Sequence, residues 1–65
     1  MSEKLKPWAI ENYGKGVIVA DYSGKRGKFG AAYAGRDGVW RDQPSGLDPF
    51  TDAQTAEAFA KAEVS

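Results

Sequence analysis

Gly16-Val17-Ile18-Val19-Ala20-Asp21-Tyr22 is the stretch whose reading decides the fold. Its Val-Ile-Val run is the densest β-branched segment of the chain, and such side chains are stiff at χ1 and pack well on a pleated surface. The run therefore reads as a strand. Val17 and Val19 fall on one face, and Ile18, Ala20 and Tyr22 on the other. A strand that is apolar on both faces belongs in the middle of its sheet. Gly14 and Gly16 punctuate its start, and Ser23-Gly24 its end.

Upstream, Pro7 introduces Trp8-Ala9-Ile10-Glu11-Asn12-Tyr13. Trp8 and Ile10 share a face in a strand, which is the favoured reading. A short helix with Pro7 at its first position and Gly14 past its end is the alternative. Tyr13-Gly14-Lys15-Gly16 is a tight turn in either case. Residues 1–6 are polar and expected to fray.

Downstream, Ser23 to Gly27 is a wider, basic turn. Lys28 to Ala34 alternates, with Phe29, Ala31 and Tyr33 on one face and Gly30, Ala32 and Ala34 on the other. The second face is nearly bare and suits a close neighbouring layer. Arg36-Asp37-Gly38 signals a hairpin, and Val39-Trp40-Arg41 a short return strand. Asp42 to Phe50, with Pro44, Ser45-Gly46 and Asp48-Pro49, is a loop.

Thr51 to Val64 reads as a helix. Thr51 and Gln54 fit a capping box, and Asp52 suits the positive helix start. Ala53, Ala56, Phe59 and Ala60 form one stripe, continued by Val64. The Gly30/Ala32/Ala34 face is the expected partner of that stripe, leaving Trp8, Val17, Val19, Phe29 and Tyr33 on the open side of the sheet. The expected architecture is α+β: a small antiparallel three- to four-stranded β-meander with one C-terminal α-helix packed on one face. Residues 1–65 form a single small domain, as a monomer or a homodimer in which a second copy covers exposed aromatics.

The 65 residues include no cysteine and no histidine. Disulfides, thiolate zinc sites, cysteine nucleophiles and imidazole bases are thereby excluded. No catalytic residues, metal site or cofactor is expected. No leader or membrane span is expected either, and the cytoplasm is the default compartment. Nine basic and nine acidic residues cancel overall. Residues 1–36 hold seven basic against three acidic, and residues 37–65 two against six. This contrast implies a molecule with a basic and an acidic end.

Gly24-Lys25-Arg26-Gly27 matches a G-x-x-G clamp, but it joins two strands, not two helices. Arg26 to Tyr33 aligns only partly with an RNA-binding sheet signature, which leaves Phe29 or Tyr33 as a base-stacking candidate. No phosphate loop or calcium loop is spelled out. Two candidate surfaces remain. One is acidic: Asp37, Asp42, Asp48, Asp52 and Glu57, with Trp40, imitating a phosphate backbone before a basic groove of a partner, and with Tyr13 or Tyr22 adding aromatic contact. The other is basic: Lys15, Lys25, Arg26, Lys28 and Arg36, which would hold nucleic acid.

Lys6-Pro7-Trp8, the strand Gly16 to Asp21 with Gly24, and the Ala-rich segment Thr51 to Ala62 together resemble short phage and prophage accessory proteins. That resemblance implies a non-enzymatic inhibitor, anti-CRISPR-like, that occupies a surface on a host protein or nucleoprotein complex in the host cytoplasm. Three strands followed by a helix opening Phe50-Thr51-Asp52-Ala53 are similar in architecture to AP2-type and integrase arm-binding modules. That likeness implies DNA reading by a sheet, with Arg36 and Arg41 flanking a hairpin, although those modules are richer in arginine.

Overall fold

A computed structural model describes residues 7–64, so the expectation of a frayed segment at residues 1–6 lies outside the described residues. Four antiparallel strands form one open sheet, and a single helix lies across one face. The strands are β1 (Trp8–Tyr13), β2 (Gly16–Asp21), β3 (Ala32–Ala34) and β4 (Trp40–Arg41), in the spatial order β1-β2-β3-β4, and the helix is α1 (Ala53–Val64). Residues 8–13 are a strand, not a short helix.

The register settles which residues share a face. Trp8 lies opposite Asp21, Ile10 opposite Val19, and Asn12 opposite Val17. Val19 in turn lies opposite Ala34, and Ala34 opposite Trp40. Directly opposed residues point the same way. Trp8, Ile10, Val17, Val19, Ala32, Ala34 and Trp40 therefore share one face, and α1 lies on it. Trp8, Val19, Phe50, Ala56 and Ala60 make the buried core, with Ile10, Val17, Trp40, Phe59 and Val64 packed around it.

The expectation that Trp8, Val17 and Val19 lie on the open side is thus overturned. Pairing Val19 with Ala34 puts the valines and the alanines beneath the same layer. Nor does the helix sit over β3 as expected. It packs on β1 and β2, while the bulk of Trp40 and Phe59 (ring centroids 5.6 Å apart) fills the flank toward β4. The Phe50 ring also lies against Phe59, tilted, with centroids 5.5 Å apart.

Strand β3 is shorter than the alternating pattern of Lys28 to Ala34 suggests. Gly30 adopts φ 93°, a conformation outside the extended region of a regular strand. The Lys28 N–H donates to Asp42 Oδ1 at 3.0 Å instead of joining a ladder. Lys28 to Ala31 is therefore turn. Val39 likewise falls outside β4. In the β3–β4 connection, Gly38 N–H donates to the Gly35 carbonyl at 3.0 Å, so Arg36-Asp37 are the central residues of the turn.

The helix begins at Ala53, and its cap is Asp52 rather than Thr51: Asp52 Oδ1 accepts the Thr55 N–H at 2.7 Å. Among the described residues the expected Thr51–Gln54 capping box does not form; the carboxylate one position later satisfies the orphan donor.

One loop segment completes the sheet. Where β3 diverges from β2, Phe50 takes its place: Val17 N–H donates to the Phe50 carbonyl at 3.1 Å and Phe50 N–H to the Val17 carbonyl at 2.8 Å. Asp48 follows the same path, accepting the Arg36 N–H. The approach is so close that a Cβ on Gly16 would collide with the Phe50 carbonyl.

The face away from the helix carries Ala9, Glu11, Tyr13, Ile18, Ala20, Tyr33 and Arg41 by the same register. Tyr22 continues it, since its N–H donates to the Pro7 carbonyl at 2.6 Å, one step further along the ladder. Ile18 and Ala20 are buried without a second layer above them. Tyrosines serve as their cover. The Tyr22 hydroxyl reaches Glu11, so its ring spans the small Ala9/Ala20 pair. Tyr13 bridges to the loop at the other end, where its hydroxyl accepts the Leu47 N–H at 3.2 Å and Leu47 is buried.

Candidate functional site

Each of the five carboxylates expected to form an acidic surface has a local partner. Asp37 Oδ1 accepts the Val39 N–H at 3.1 Å, and its second oxygen faces Arg41 at 3.6 Å. Asp42 holds the Lys28 N–H, as described. Asp48 pairs with Arg36 at 2.9 Å. Asp52 caps the helix, and this backbone bonding holds its carboxyl below the usual value. Glu57 pairs with Lys61 at 3.8 Å, one helical turn on. Asp37, Asp48 and Asp52 gather near the helix start and the β3–β4 turn, while Asp42 stands apart beside the Lys28 turn. Arginines 36 and 41 sit among the acids, so the patch has mixed charge.

The basic set is divided too. Lys15 and Arg36 lie at the end of the sheet where β2 begins. Lys25, Arg26 and Lys28 lie at the other end, on the turn that follows β2. Six residues of strand separate them, about 20 Å at ~3.3 Å per residue. Among these cations Arg26 is committed to the fold. Its Nη1 lies 3.0 Å from Asp21 Oδ2, its guanidinium carbon lies 5.2 Å from the Trp40 ring centroid, and its Nη2 donates to the Glu63 carbonyl. Among the described residues Asp21 is the buried charged one, 1% exposed. Burial by itself pushes its carboxyl up, but the Ser23 N–H (2.9 Å), the Ser23 hydroxyl and Arg26 together bring it below its ordinary value. Arg26 thus ties the basic turn, the sheet and the end of the helix together.

Trp40 is half-buried under Arg26 and against Phe59, with its indole Nε1 enclosed and without a hydrogen-bond partner. It is not the exposed contact aromatic that the sequence suggests. Among the described residues the exposed large apolar side chains are Phe29, Tyr22 and Val39, at 78%, 50% and 49%. Phe29 and Tyr22 lie on or beside the same turn, with exposed Lys25 and Lys28. The turn is pinned at Arg26 by Asp21 and at Lys28 by Asp42. Phe29 follows the Lys28 amide that Asp42 holds, and its ring stands out in solvent. Glu11 accepts a hydrogen bond from the Tyr22 hydroxyl and, with burial second, pushes that phenol up to about 12.

Among the described residues there is no enclosed pocket and no cluster of metal-ligating side chains, and no helix is long and apolar enough to cross a membrane. Compared with known proteins, the chain matches no family model, no curated protein and no solved structure.

Proposed function

We propose that this chain is a non-enzymatic binding protein that acts by occupying a surface of a larger macromolecular complex. The observation that carries the reading is Phe29, 78% exposed immediately after Lys28, whose backbone N–H is held by Asp42. Exposing a large aromatic forgoes about 2–3 kcal/mol of burial, and aromatics buried at interface centres supply much of the affinity of protein complexes. The contact end is then the Tyr22–Ala31 turn, not the acidic residues, whose charges are spent on capping, turns and neighbouring arginines. The resemblance of the sequence to phage accessory proteins implies a host protein or nucleoprotein complex as the target, with the chain as an inhibitor by steric blockade.

A second reading has its own support. Lys25 and Lys28 flank Phe29, and an aromatic between cations is a platform for unpaired bases. The two are separated by titrating a labelled single-stranded oligonucleotide at stepped salt, alongside affinity capture from host lysate. The blockade reading expects no oligonucleotide binding, and capture of a defined complex that Phe29→Ala abolishes while Asp48→Asn leaves it intact. Oligonucleotide binding that weakens with salt at a log–log slope of about 1.4, as two phosphate contacts give, and that is lost in Phe29→Ala, selects the second. Capture unaffected by Phe29→Ala rejects the assigned contact end.

A further inference from the structure

Residues 27–31 form a loop closed at its neck. Gly27 lies so near Ala31 that a Cβ on it would collide with the Ala31 carbonyl. Lys28, Phe29 and Gly30 alone span the tip. Both sides of the neck are built into the fold. Before it, Arg26 is bonded to Asp21 and to the Glu63 carbonyl. After it, Ala32 is buried in β3 and paired with Asp21. Asp42 holds the Lys28 amide from outside the loop. Beside the ring the space is open, since a Cβ at Gly30 would meet nothing within 4 Å.

We infer that this loop is a preformed anchor that enters an apolar pocket rimmed by carboxylates on a partner protein. It rests on the reading of the chain as a surface-occupying binding protein and names the chemistry of that surface. The shape of the match follows from the tip. Phe29 is 78% exposed at the end of a short closed loop, a convex knob whose complement is concave. A phenyl ring has no hydrogen-bonding group, so the wall that receives it is apolar. A loop already closed has little freedom left to lose on binding, which raises affinity without adding contacts.

The charge of the rim follows from which cations are already neutralised. Residues 22–31 bring Lys25, Arg26 and Lys28 and no acid. Two carboxylates bond to this turn: Asp21 neutralises Arg26, and half-buried Asp42 lies under the Lys28 amide. Arg36 and Arg41 face carboxylates elsewhere. Lys25 and Lys28 are exposed, and among the described residues neither ammonium is in an ion pair. The charge carried outward beside Phe29 is therefore positive, and carboxylates around the pocket complement it. A nucleic acid fits less well. Proteins that hold single strands stack successive bases on several aromatics along a basic groove, whereas this tip is convex and offers one ring.

The free chain gives the first test. Backbone amide relaxation should give Lys28, Phe29 and Gly30 order parameters of about 0.85, like the strands, and values below about 0.6 overturn the preformed anchor. The second test places the photo-crosslinking aromatic p-benzoylphenylalanine at position 29, irradiates the chain in host lysate and maps the cross-linked peptides by mass spectrometry. Cross-links should fall on apolar side chains of one protein, with Asp or Glu beside them. Lys25→Glu combined with Lys28→Glu should lower the cross-link yield about tenfold, and added salt should lower the wild-type yield. Gly27→Ala keeps every side chain of the tip but forces the neck open, and it should lower the yield by about threefold or more. Cross-links to a site without carboxylates, or a yield unchanged by the double charge reversal, overturn the inference and leave the surface-occupying reading standing. No cross-link to any protein removes both. Cross-links to nucleic acid instead assign the loop to the other class of partner and overturn the inference. Should Gly27→Ala not fold, the relaxation data alone decide whether the loop is preformed.

Discussion

Replacing Arg26 with methionine keeps the length of the side chain and removes its charge, and the structure allows the loss to be estimated. Asp21, with its side chain wholly buried, would keep only its Ser23 partners. Stripping one member from a buried pair costs about 3–5 kcal/mol. Arg26 is itself 28% exposed, so water can reach the orphaned carboxylate and about 2 kcal/mol is a better figure. Stacking on Trp40 adds about 0.5–1 kcal/mol. The bond to the helix-terminal Glu63 carbonyl adds about 0.5 kcal/mol. The total, about 3–3.5 kcal/mol, is a large share of the roughly 3–10 kcal/mol available to a chain of this size. Urea unfolding followed by tryptophan fluorescence measures it, with Trp40 reporting from beneath the guanidinium. Asp21→Asn alone should cost about 2 kcal/mol, and the double variant should fall short of the sum by about 1–2 kcal/mol, as for residues in direct contact. The pH dependence has a definite sign. Asp21 is held below its ordinary value in the fold, so its contribution is present above the unfolded pKa of 3.8 and fades as pH falls through the lower folded value. Without Arg26 the folded value rises, and acid unfolding should begin at higher pH. A loss below about 1 kcal/mol for Arg26→Met, or strict additivity in the cycle, would falsify the role given to this cluster.

Other consequences are equally concrete. Gly16→Ala drives a Cβ into the Phe50 carbonyl, so it should destabilise by about 1–3 kcal/mol and expose the Val17 amide to rapid exchange. Asp52→Ala removes the helix cap and should cost about 1 kcal/mol in the same unfolding assay, with frayed helix signal near Thr55. Tyr22 should ionise near 12 by ultraviolet absorbance, and Glu11→Gln should move it back toward 10.0. Because the folded value is the higher one, the contribution of this bond is complete below pH 10 and is lost between the two values, and half-exposure of Tyr22 keeps it small.

The parts of the fold legible in the sequence are those whose pattern records their own burial. Val17-Ile18-Val19 announces a strand covered on both faces, and Ala56 and Ala60 mark a helix stripe, because side-chain periodicity follows local geometry. Register does not. Nothing local pairs Val19 with Ala34 in preference to a neighbour, and that pairing alone decides that the valines and the bare alanine face lie under one layer. The alternation in Lys28 to Ala34 is real, but a single left-handed glycine interrupts it. The acids divide the same way. Asp52 reads as a helix-start carboxylate because it directly precedes the Ala-rich helical run, whereas Asp42 and Asp48 find Lys28 and Arg36 only after folding. Asp21 carried a signal that the surface reading passed over: an acid closing an apolar strand, with Ser23 two residues later and Arg26 five, is arranged to be buried and satisfied.

The seat that Phe50 occupies beside Val17 has a consequence for how the chain comes together. The first hairpin can form from its own neighbours, but one side of its central strand stays bare until a segment from far along the chain arrives. That segment leads directly into the helix, so the arrival of one brings the other. Neither end of the polypeptide should persist as an ordered fragment, and a cut anywhere between Gly24 and Asp48 should release two unstructured peptides that regain shape only when mixed.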